Sequence, residues 1–332
     1  MGTDATPPAD APPKLSVVVP CYNEALGLDA LDRRLNAACA ARFGGDYEIV
    51  MVNDGSKDAT WEGIRRLAAA NPRIVGVDLS RNHGHQLAVT AGLQMARGEL
   101  VLIIDADLQD PPEVLGAMVD RIEEGYDVAY GQRIARKGES VFKRGTASLF
   151  YKLLGKLADH EIPLDTGDFR LMTRRVVDQL NAMPERFRFI RGMVSWIGFA
   201  QVAVPYERDA RFAGETGYPL HKMIRLGLDA ITSFSTLPLR LASLLGMVMG
   251  VFGMVLLIWA ISVYFAHGTV AGWTSTVAVV LIMGSVQLLI LGVFGDYIGR
   301  LYLENKRRPL FIVREVCGGT PPPPPAAAAA RD

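Results

Sequence analysis

The chain has 332 residues, enough for one sizeable domain and a further segment, and its 35 basic and 35 acidic side chains cancel. This balance gives no indication of nucleic acid as a partner. The three cysteines, Cys21, Cys39 and Cys317, have neither metal-ligand spacing nor the even number of a disulfide framework, which favours a reducing compartment. Residues 1–13 lack the apolar core of a secretory signal, and they and the Pro/Ala run 321–330 are expected to be disordered.

Short apolar runs alternate with helical patterns in the first third of the chain. Uninterrupted runs of branched residues are typical of strands buried on both faces. Alternation of such strands with helices predicts an α/β fold with a doubly wound parallel sheet and right-handed crossovers. The predicted strands are Leu15–Val19, Glu48–Val52, Ile74–Leu79 and Leu100–Ile104, and the predicted helices are Leu28–Arg42, Asp58–Ala70 and His85–Ala96, the last with Gly98 as its C-cap.

The end of the fourth strand carries the strongest chemical signal. Asp105, Asp107 and Asp110 follow it, with Gln109 among them, and Pro111 prevents the strand from continuing. Ligands of open α/β sheets bind at the carboxyl ends of the strands. If strand geometry continued for a few residues, Asp105, Asp107 and Gln109 would lie on one side and form an oxygen site for Mg²⁺ or Mn²⁺ holding a diphosphate. The alternative is an acidic turn in which Asp110 begins a helix.

The turns after the first two strands are also polar. The first contains Pro20, Tyr22 and Glu24 in place of a glycine-rich dinucleotide fingerprint, so a phosphate bound there would need a metal or arginines. Tyr22 either packs in the fold or stacks on a base. Asp54, after the second strand, either caps the next helix or contacts a ligand. All these clusters follow strands, which places them on the same rim of the sheet.

Beyond the fourth strand the pattern changes. A strand is predicted at Val128–Tyr130, and residues 140–158 are basic and amphipathic, which suits a membrane interface or a core-facing helix with a solvated face. Asp165–Leu171 is interpreted as a glycine turn with two carboxylates and an arginine. Phe187–Phe199 and Gln201–Pro205 return to the fold, and Arg211–Tyr218 is predicted to be a loop.

The C-terminal third contains two long apolar segments. No Asp, Glu, Lys or Arg occurs from Leu241 to Gly295, and Leu241–Phe265 and Thr274–Gly295 are each long enough to cross a bilayer. Basic residues flank both segments, so the positive-inside rule predicts that both ends and the preceding domain are cytoplasmic. Close helix packing and an oligomer are expected from three glycines, Gly246, Gly250 and Gly253. The expected divisions are a leader at 1–13, a catalytic domain at 14–236, a membrane domain at 237–299 and a basic segment with a tail at 300–332.

Five motifs in this order, PCYNE, NDGS, DADLQDPPE, GDFRL and RFAGET, precede the two apolar segments. The chain from about Lys14 to Arg308 resembles family 2 glycosyltransferases, and more narrowly the polyprenyl-phosphate glycosyltransferases, such as dolichyl-phosphate mannose synthase and its bacterial undecaprenyl-phosphate relatives. The resemblance implies a GT-A fold, a nucleotide-sugar donor, a divalent metal, a polyprenyl phosphate acceptor, a homotetramer and a multi-pass protein of the bacterial inner membrane.

The resemblance also implies roles for individual residues. Pro20, Tyr22 and Glu24 would line the nucleotide pocket, with Val52 and Asp54 near the base. Asp105 and Ala106 would contact the donor, Asp107 and Gln109 would bind the metal, and Arg133 and Arg211 would hold phosphates. Asp105, Asp107 and Asp168 are the expected catalytic residues, and the acceptor phosphate is assigned to Arg144, Arg170 and Lys222. The chain has Gly217 where many relatives have a lysine, and Lys222 or His221 would substitute for it.

A phosphate monoester has a second pKa near 6, so the implied acceptor is largely deprotonated at neutral pH and Asp168 would orient it without removing a proton. Inversion at the anomeric carbon is expected, because no nucleophile is placed for a double displacement. A processive polysaccharide synthase is an alternative, but the chain lacks its Gln-x-x-Arg-Trp motif and additional spans. An inactive membrane scaffold is a second alternative. A nucleotidyltransferase is a third, but this chain has no glycine-rich phosphate loop to support it. The sugar is left open. The two-span layout favours a uridine over a guanosine nucleotide.

Overall fold

A computed structural model of the chain describes residues 11–134, 166–207, 237–267 and 272–319. These residues belong to two units, one with residues 11–134, 166–207 and 309–319, and the other with residues 237–267 and 272–308. The predicted amphipathic segment 140–158, the loop 211–218 and the site residues Arg144, Arg211 and Lys222 lie outside the described residues.

The first unit is built on one mixed sheet of eight strands within the described ranges. Their order across the sheet is β7-β5-β6-β4-β1-β2-β3-β8. The strands are β1 (Leu15–Cys21), β2 (Tyr47–Asn53), β3 (Ile74–Leu79), β4 (Leu100–Ile103), β5 (Val128–Arg133), β6 (Thr166–Thr173), β7 (Gln201–Tyr206) and β8 (Val313–Cys317).

Helices connect most of these strands. In the first unit they are α1 (Leu28–Phe43), α2 (Thr60–Ala70), α3 (His85–Met95), α4 (Leu115–Glu123), α5 (Arg174–Ala182) and α6 (Ile190–Ile197), with a short 3-10 turn at Pro112–Val114 before α4. The second unit consists of α7 (Leu237–His267) and α8 (Trp273–Asn305).

The predicted parallel sheet is present in its centre. β4, β1, β2 and β3 pair in parallel, and every residue of β1, β2 and β3 is buried. This agrees with the branched apolar runs, because strands covered by helices on both faces have no solvated side. The sheet is nevertheless mixed, since β6 runs antiparallel to both β4 and β5 and β8 runs antiparallel to β3.

Two local expectations were wrong. Asp165–Leu171 was interpreted as a turn, but Thr166–Thr173 is strand β6, in which Phe169 and Leu171 face the core. Helix α3 ends at Met95, so Gly98 is not its C-cap. Gly98 is instead required for close approach, because a Cβ there would lie 2.5 Å from the backbone nitrogen of Ser16.

A further feature, which was not predicted, lies in the segment after the second apolar helix. Residues Val313–Cys317 form β8 and pair with β3 at the edge of the sheet. The chain therefore returns to the first unit after α8. The edge of β3 is covered as a result, which removes a row of unpaired backbone groups.

The turns after β1 and β2 are bonded to each other. The backbone N–H of Asn23 donates to Ser56 Oγ at 3.0 Å, and its Oδ1 accepts from the N–H of Lys57 at 2.8 Å. The N–H of Glu24 donates to Thr60 Oγ1 at 2.9 Å. Side chains of one turn thus satisfy the backbone of the other, which fixes two of the predicted ligand-binding loops as a single element.

The second unit is a helical hairpin. A Cβ at Gly246 would lie 3.6 Å from Ile290 Cδ1, and one at Gly253 would lie 3.4 Å from Met283 Cε, so α7 and α8 run antiparallel. These two glycines therefore face the neighbouring helix of the same chain. By length and composition, Leu241–Trp259 and Ala278–Asn305 could each cross a membrane. Their apolar side chains are largely exposed, as expected for a lipid-facing surface.

Candidate active site

The candidate site lies at the carboxyl ends of β1, β2, β3 and β4. Because Ile103 at the end of β4 pairs with Arg170 of β6, Asp168 lies just beyond the end of β4. His85, the first residue of α3, connects the two carboxylates. Its Nε2 is 3.0 Å from Asp168 Oδ2 and 3.7 Å from Asp105 Oδ1. The sheet topology thus brings together two of the three predicted catalytic residues, Asp105 and Asp168.

Asp168 is held by polar side chains from α3 and α6. Arg191 Nε donates to its Oδ1 at 2.8 Å, and Gln86 Nε2 donates to its Oδ2 at 2.8 Å. Gln86 also accepts the backbone N–H of Ile190 at 2.8 Å, which ties the start of α6 to the same carboxylate. The side chain of Asp168 is only 3% exposed. It is therefore a fixed element of the site.

The charges around Asp168 keep it ionised. Burial alone would raise the pKa of Asp168, but the hydrogen bond with His85 and the positive charge of Arg191 outweigh burial and hold the pKa well below its usual range. Burial lowers the pKa of His85, yet Asp168 and Asp105 together raise it above the ordinary value. A carboxylate with so low a pKa is a weak general base, because proton transfer to it is unfavourable at neutral pH.

Asp105 is in the opposite situation. Burial raises its pKa to about 6 despite the positive influence of His85, and the neighbouring carboxylates of Asp168, Asp110 and Asp107 add to the rise. Its Oδ1 is buried and accepts no hydrogen bond from the described residues. A buried acceptor in a cluster of negative charge is stabilised by a cation. This part of the site is suited to bind one.

Asp107 and Gln109 lie in a turn. Strand β4 ends at Ile103, and Leu108 has a φ of 58°, so the strand alternation considered for residues 105–109 does not continue. The backbone N–H of Gln109 donates to Asp107 Oδ1 at 3.1 Å. Asp107 is half-buried next to the cluster that contains Asp105.

These residues fit a divalent cation that is shared with a substrate. The described residues contain no group of three or more His, Cys, Asp or Glu side chains that could hold a metal alone. Mg²⁺ in phosphate chemistry is typically bound by one or two carboxylates together with substrate phosphates and water. Asp105 and Asp107 supply that number, and the unsatisfied Oδ1 of Asp105 supports their use.

Asp54 anchors the loop that leads into α3. Its Oδ1 accepts the backbone N–H of His83 at 2.7 Å, and its Oδ2 accepts that of Gly84 at 2.9 Å. It therefore does not cap α2, the helix that follows it in the chain. The next residue, Gly55, has a φ of +63°, and a Cβ there would lie 2.4 Å from the nitrogen of Asn82. The loops after β2 and β3 are thus in backbone contact.

The other residues that the resemblance assigns to the nucleotide-sugar pocket lie along the same rim of the sheet. Tyr22 is 43% exposed and Glu24 is half-buried, so both are accessible to a ligand. Pro20 and Ala106 are buried at the ends of β1 and β4. Val52 packs in the core between β2 and α3, which leaves its backbone as the group nearest the rim.

Arg133, at the end of β5, is held by a buried tyrosine and aspartate. Tyr206 Oη donates to Asp110 Oδ1 at 2.5 Å and accepts from Arg133 Nε at 3.3 Å. Arg133 Nη2 is 3.9 Å from the same Asp110 oxygen. Asp110 therefore does not simply begin a helix. Together with Tyr206, it orients the guanidinium group of Arg133 at the edge of the acidic cluster.

If the ligand is the nucleotide-sugar donor that the resemblance implies, we expect Tyr206→Phe to raise the KM for it roughly fivefold, since one hydrogen bond that orients Arg133 is lost. The turnover number should change less, because Arg133 itself remains. Steady-state kinetics with varied donor would measure both constants. Tyr47→Phe removes a comparable hydrogen bond, to Asn36, at the amino end of β2, which is the strand end away from the site, and should leave the KM unchanged. An unchanged KM in Tyr206→Phe would contradict the role given to Tyr206.

Arg170 is more deeply placed than the other candidates. It is 3% exposed, and its Nη2 donates to the carbonyl oxygen of Gly167 at 3.2 Å. Burial lowers its pKa to about 10, although Asp168 opposes that shift. In this arrangement Arg170 lies behind Asp168. Its assignment to the acceptor phosphate stays a prediction, as do those of Arg144 and Lys222.

The sequence analysis did not identify His85, Gln86, Arg191 and Tyr206 as site residues. Each reaches the site through contacts between residues far apart in the chain, 83 positions for His85 and Asp168 and 96 for Tyr206 and Asp110. A signal was present for two of them, because His85 and Gln86 directly follow the polar loop after β3. No local pattern distinguishes Arg191 from the neighbouring Arg186 and Arg188.

Comparisons with known proteins identify the family of the chain. The sequence profile of Glycosyl transferase family 2 matches residues 16–180. Over 304 residues the chain is 47% identical to the uncharacterized glycosyltransferase YkcC of Bacillus subtilis, covering 91% of this chain and 94% of that protein. It is 38% identical to the bactoprenol glucosyl transferase of Shigella phage SfII, covering 93% of this chain and all of that one. The chain is a glycosyltransferase enzyme, and it belongs to glycosyl transferase family 2.

Among solved structures, the mannosyltransferase PcManGT from Pyrobaculum calidifontis, in complex with GDP-Man and Mn²⁺, aligns over 90% of both chains with 18% identity and a TM-score of 0.45. This likeness is too weak to bear on ligand or metal. Family membership and the mixed α/β sheet confirm the GT-A fold class predicted from the sequence.

Proposed function

We propose that the protein transfers a sugar from a nucleotide diphosphate sugar, a UDP-sugar by preference, to the phosphate of a polyprenyl lipid such as undecaprenyl phosphate. The observation that carries this proposal is the state of Asp168. It is ionised, buried and hydrogen-bonded on both oxygens, so it is a weak base. A sugar hydroxyl would need a base for its attack, whereas a phosphate monoester is largely deprotonated at neutral pH.

In the proposed reaction, Asp105 and Asp107 would hold Mg²⁺ or Mn²⁺, which would supply positive charge to the diphosphate leaving group. Arg133, oriented by Tyr206 and Asp110, lies at the edge of the acidic cluster and would contact the same diphosphate. Asp168 would fix His85 and Arg191, which are bonded to it and would provide positive charge toward the attacking phosphate. Attack from the face opposite the leaving group inverts the anomeric carbon, and a product with retained configuration by NMR would exclude this geometry.

The lipid acceptor is supported by the apolar hairpin. The bactoprenol glucosyl transferase of Shigella phage SfII aligns over its whole length, including the region of α7 and α8. Both ends of the hairpin connect to the first unit of the chain. If α7 and α8 cross the bilayer, their outer ends are on one side, and the basic residues Arg300, Lys306, Arg307 and Arg308 indicate the cytoplasmic side.

We therefore propose a multi-pass protein of the bacterial inner membrane. Its catalytic domain would span residues 14–236, its membrane domain residues 237–299, and the C-terminal segment 300–332 would be cytoplasmic and contribute β8. The segment 140–158, outside the described residues, would contact the inner leaflet. A homo-oligomer would form through surfaces other than Gly246 and Gly253, which face α8. The product would be a lipid-linked monosaccharide for modification of the cell envelope.

A lipid-extraction assay tests this function. Membranes that contain the protein would be incubated with Mg²⁺, undecaprenyl phosphate and one of several radiolabelled UDP- or GDP-sugars, and label in the organic phase would be counted. We expect label with one donor and none when undecaprenyl phosphate is replaced by undecaprenol. Polymer that stays in the aqueous phase would support a processive synthase instead. Failure of purified, nucleotide-binding protein to transfer label from any donor would support an inactive scaffold.

A further inference from the structure

Arg314 occupies an irregular position at the edge of the sheet. In the pairing of β3 with β8, Asp78 is opposite Glu315 and Leu79 is opposite Val313, so the register skips Arg314. Such a β-bulge redirects the side chain of the extra residue. Here the bulge lets Arg314 reach the end of β3, although 236 positions and both apolar helices separate it from Asp78.

The guanidinium of Arg314 makes two contacts at the end of β3. Its Nη1 donates to Asp78 Oδ2 at 3.0 Å, and its Nη2 donates to the carbonyl oxygen of Ser80 at 2.5 Å. The Arg314 side chain is 60% exposed, but that of Asp78 is only 1% exposed. An ion pair between two exposed side chains contributes little to stability. A buried carboxylate that loses its charged partner is left as an uncompensated buried charge, which destabilises the structure around it.

Asp78 transmits this contact to the loop after β2. Its Oδ1 accepts from Asn53 Nδ2 at 2.7 Å, and Asn53 Oδ1 accepts the backbone N–H of Ser56 at 3.2 Å. Asn53 is 3% exposed and Asp78 is 1% exposed, so water cannot readily replace either bond. Between Asn53 and Ser56 lie Asp54 and Gly55. Arg314 is therefore two hydrogen bonds away from the turn that carries Asp54.

The same arginine fixes the beginning of the loop after β3. Ser80 is held by Arg314, and His83 and Gly84, at the other end of this loop, donate to the carboxylate of Asp54. The next residue, His85, contacts Asp168. Both contacts of Arg314 thus lead to the rim of the site, one through the loop after β2 and one through the loop after β3.

We propose that Arg314 is a positioning residue for nucleotide-sugar binding. It touches no substrate. It keeps the carboxylate of Asp78 in place, and Asp78 and Asn53 then hold the Asn53–Ser56 turn in the conformation that receives the nucleoside of the donor. This inference rests on the proposed function, in that the Asn53–Ser56 turn is taken to bind the donor. A strand that follows the apolar hairpin is thereby part of the machinery that sets donor affinity.

The test compares three variants of the full-length protein in detergent. Arg314→Ala removes both contacts, Arg314→Lys retains a cation with fewer donors, and Glu315→Ala is the matched control. Glu315 is the next residue on the same strand and is exposed, and its carboxylate lies 3.9 Å from Arg65 Nε. Binding of UDP by calorimetry, donor KM, turnover number and thermal midpoint would be measured for each.

We expect Arg314→Ala to raise the Kd for UDP and the donor KM roughly tenfold, as for loss of a hydrogen bond to a charged group, with the turnover number within about twofold. Arg314→Lys should recover part of the affinity, and Glu315→Ala should bind UDP like the wild type. A lower turnover number and thermal midpoint with an unchanged Kd would show a merely structural role and overturn the proposal. Equal loss of affinity in Glu315→Ala would overturn it as well.

Hydrogen–deuterium exchange separates this inference from the proposed function. The backbone amides of Ser56, His83 and Gly84 should exchange faster in Arg314→Ala than in the wild type, because their acceptors are released, and this readout requires no activity. Unchanged exchange at all three amides would overturn the positioning role. If the wild type binds UDP but transfers sugar to a different acceptor, only the proposed function fails.

Discussion

Replacing Asp168 with asparagine is expected to lower the turnover number for sugar transfer at least about a hundredfold, the scale of losing one preorganised electrostatic contact in an active site. The substitution keeps the size of the side chain and removes the charge that holds Arg191, His85 and Gln86. We also expect a loss of about 2–3 kcal/mol in stability, below the usual cost of breaking a fully buried pair because Arg191 is 30% exposed. Kinetics and thermal unfolding would measure the two effects.

Asp127 provides a matched control for Asp168→Asn. It is likewise 3% exposed and is bonded to Arg175 and Thr173, but it lies just before β5, at the amino end of that strand and away from the site. Asp127→Asn should lose stability and keep its turnover number. If the two variants lost activity in proportion to stability, Asp168 would have only a structural role. Wild-type turnover in Asp168→Asn would contradict the proposed mechanism directly.

The second large effect is expected at Asp107. Asp107→Asn should reduce transfer about 10²–10³-fold, since a carboxylate that would bind the divalent cation becomes a weaker neutral ligand. Removal of divalent ions from the wild type with EDTA should have at least as large an effect, and Mg²⁺ or Mn²⁺ should restore the activity. Transfer rates at several metal concentrations would show whether Asp107→Asn requires more metal than the wild type.

Glu113 is a suitable control for the Asp107 variant. It lies six positions further on, where it forms an exposed, bidentate ion pair with Arg34. Glu113→Gln should leave the rate and the metal requirement unchanged. Activity that persists in EDTA, with Asp107→Asn as active as Glu113→Gln, would show that the acidic turn does not bind a metal and that the arginines alone neutralise the leaving group.

The central strands were predictable because strands that are buried on both faces consist mainly of apolar residues. Most residues of β1 and β2 are apolar on both faces, which few other local structures permit. Strand β6 was not recognised, because it alternates. Asp168 and Arg170 lie on one side of the strand while Phe169 and Leu171 lie on the other side and pack in the core, and Gly167 suggested a turn. The carboxylate of Asp168 is satisfied by residues from α3 and α6, which no local pattern reveals.

The carboxylates of the candidate site could be predicted from the sequence, but the groups that form hydrogen bonds with them could not. The position of Asp105 after a buried strand indicates a ligand site, because the carboxyl ends of parallel strands converge. The roles of Asp54 and Asp110 could not be separated from helix capping, since the same side chain suits both. Their actual partners, the amides of His83 and Gly84 and the hydroxyl of Tyr206, are set by tertiary packing.

The position of β8 in the chain has a consequence for biosynthesis. Polypeptides fold from the N-terminus as they are made, but the partner of β3 leaves the ribosome only after both apolar helices. Until then β3 is an open edge, and Asp78 lacks its arginine. On the proposals above, a nascent chain that has not yet made its membrane hairpin holds the nucleotide sugar poorly. The donor is then consumed only by molecules whose synthesis has passed the point of membrane insertion.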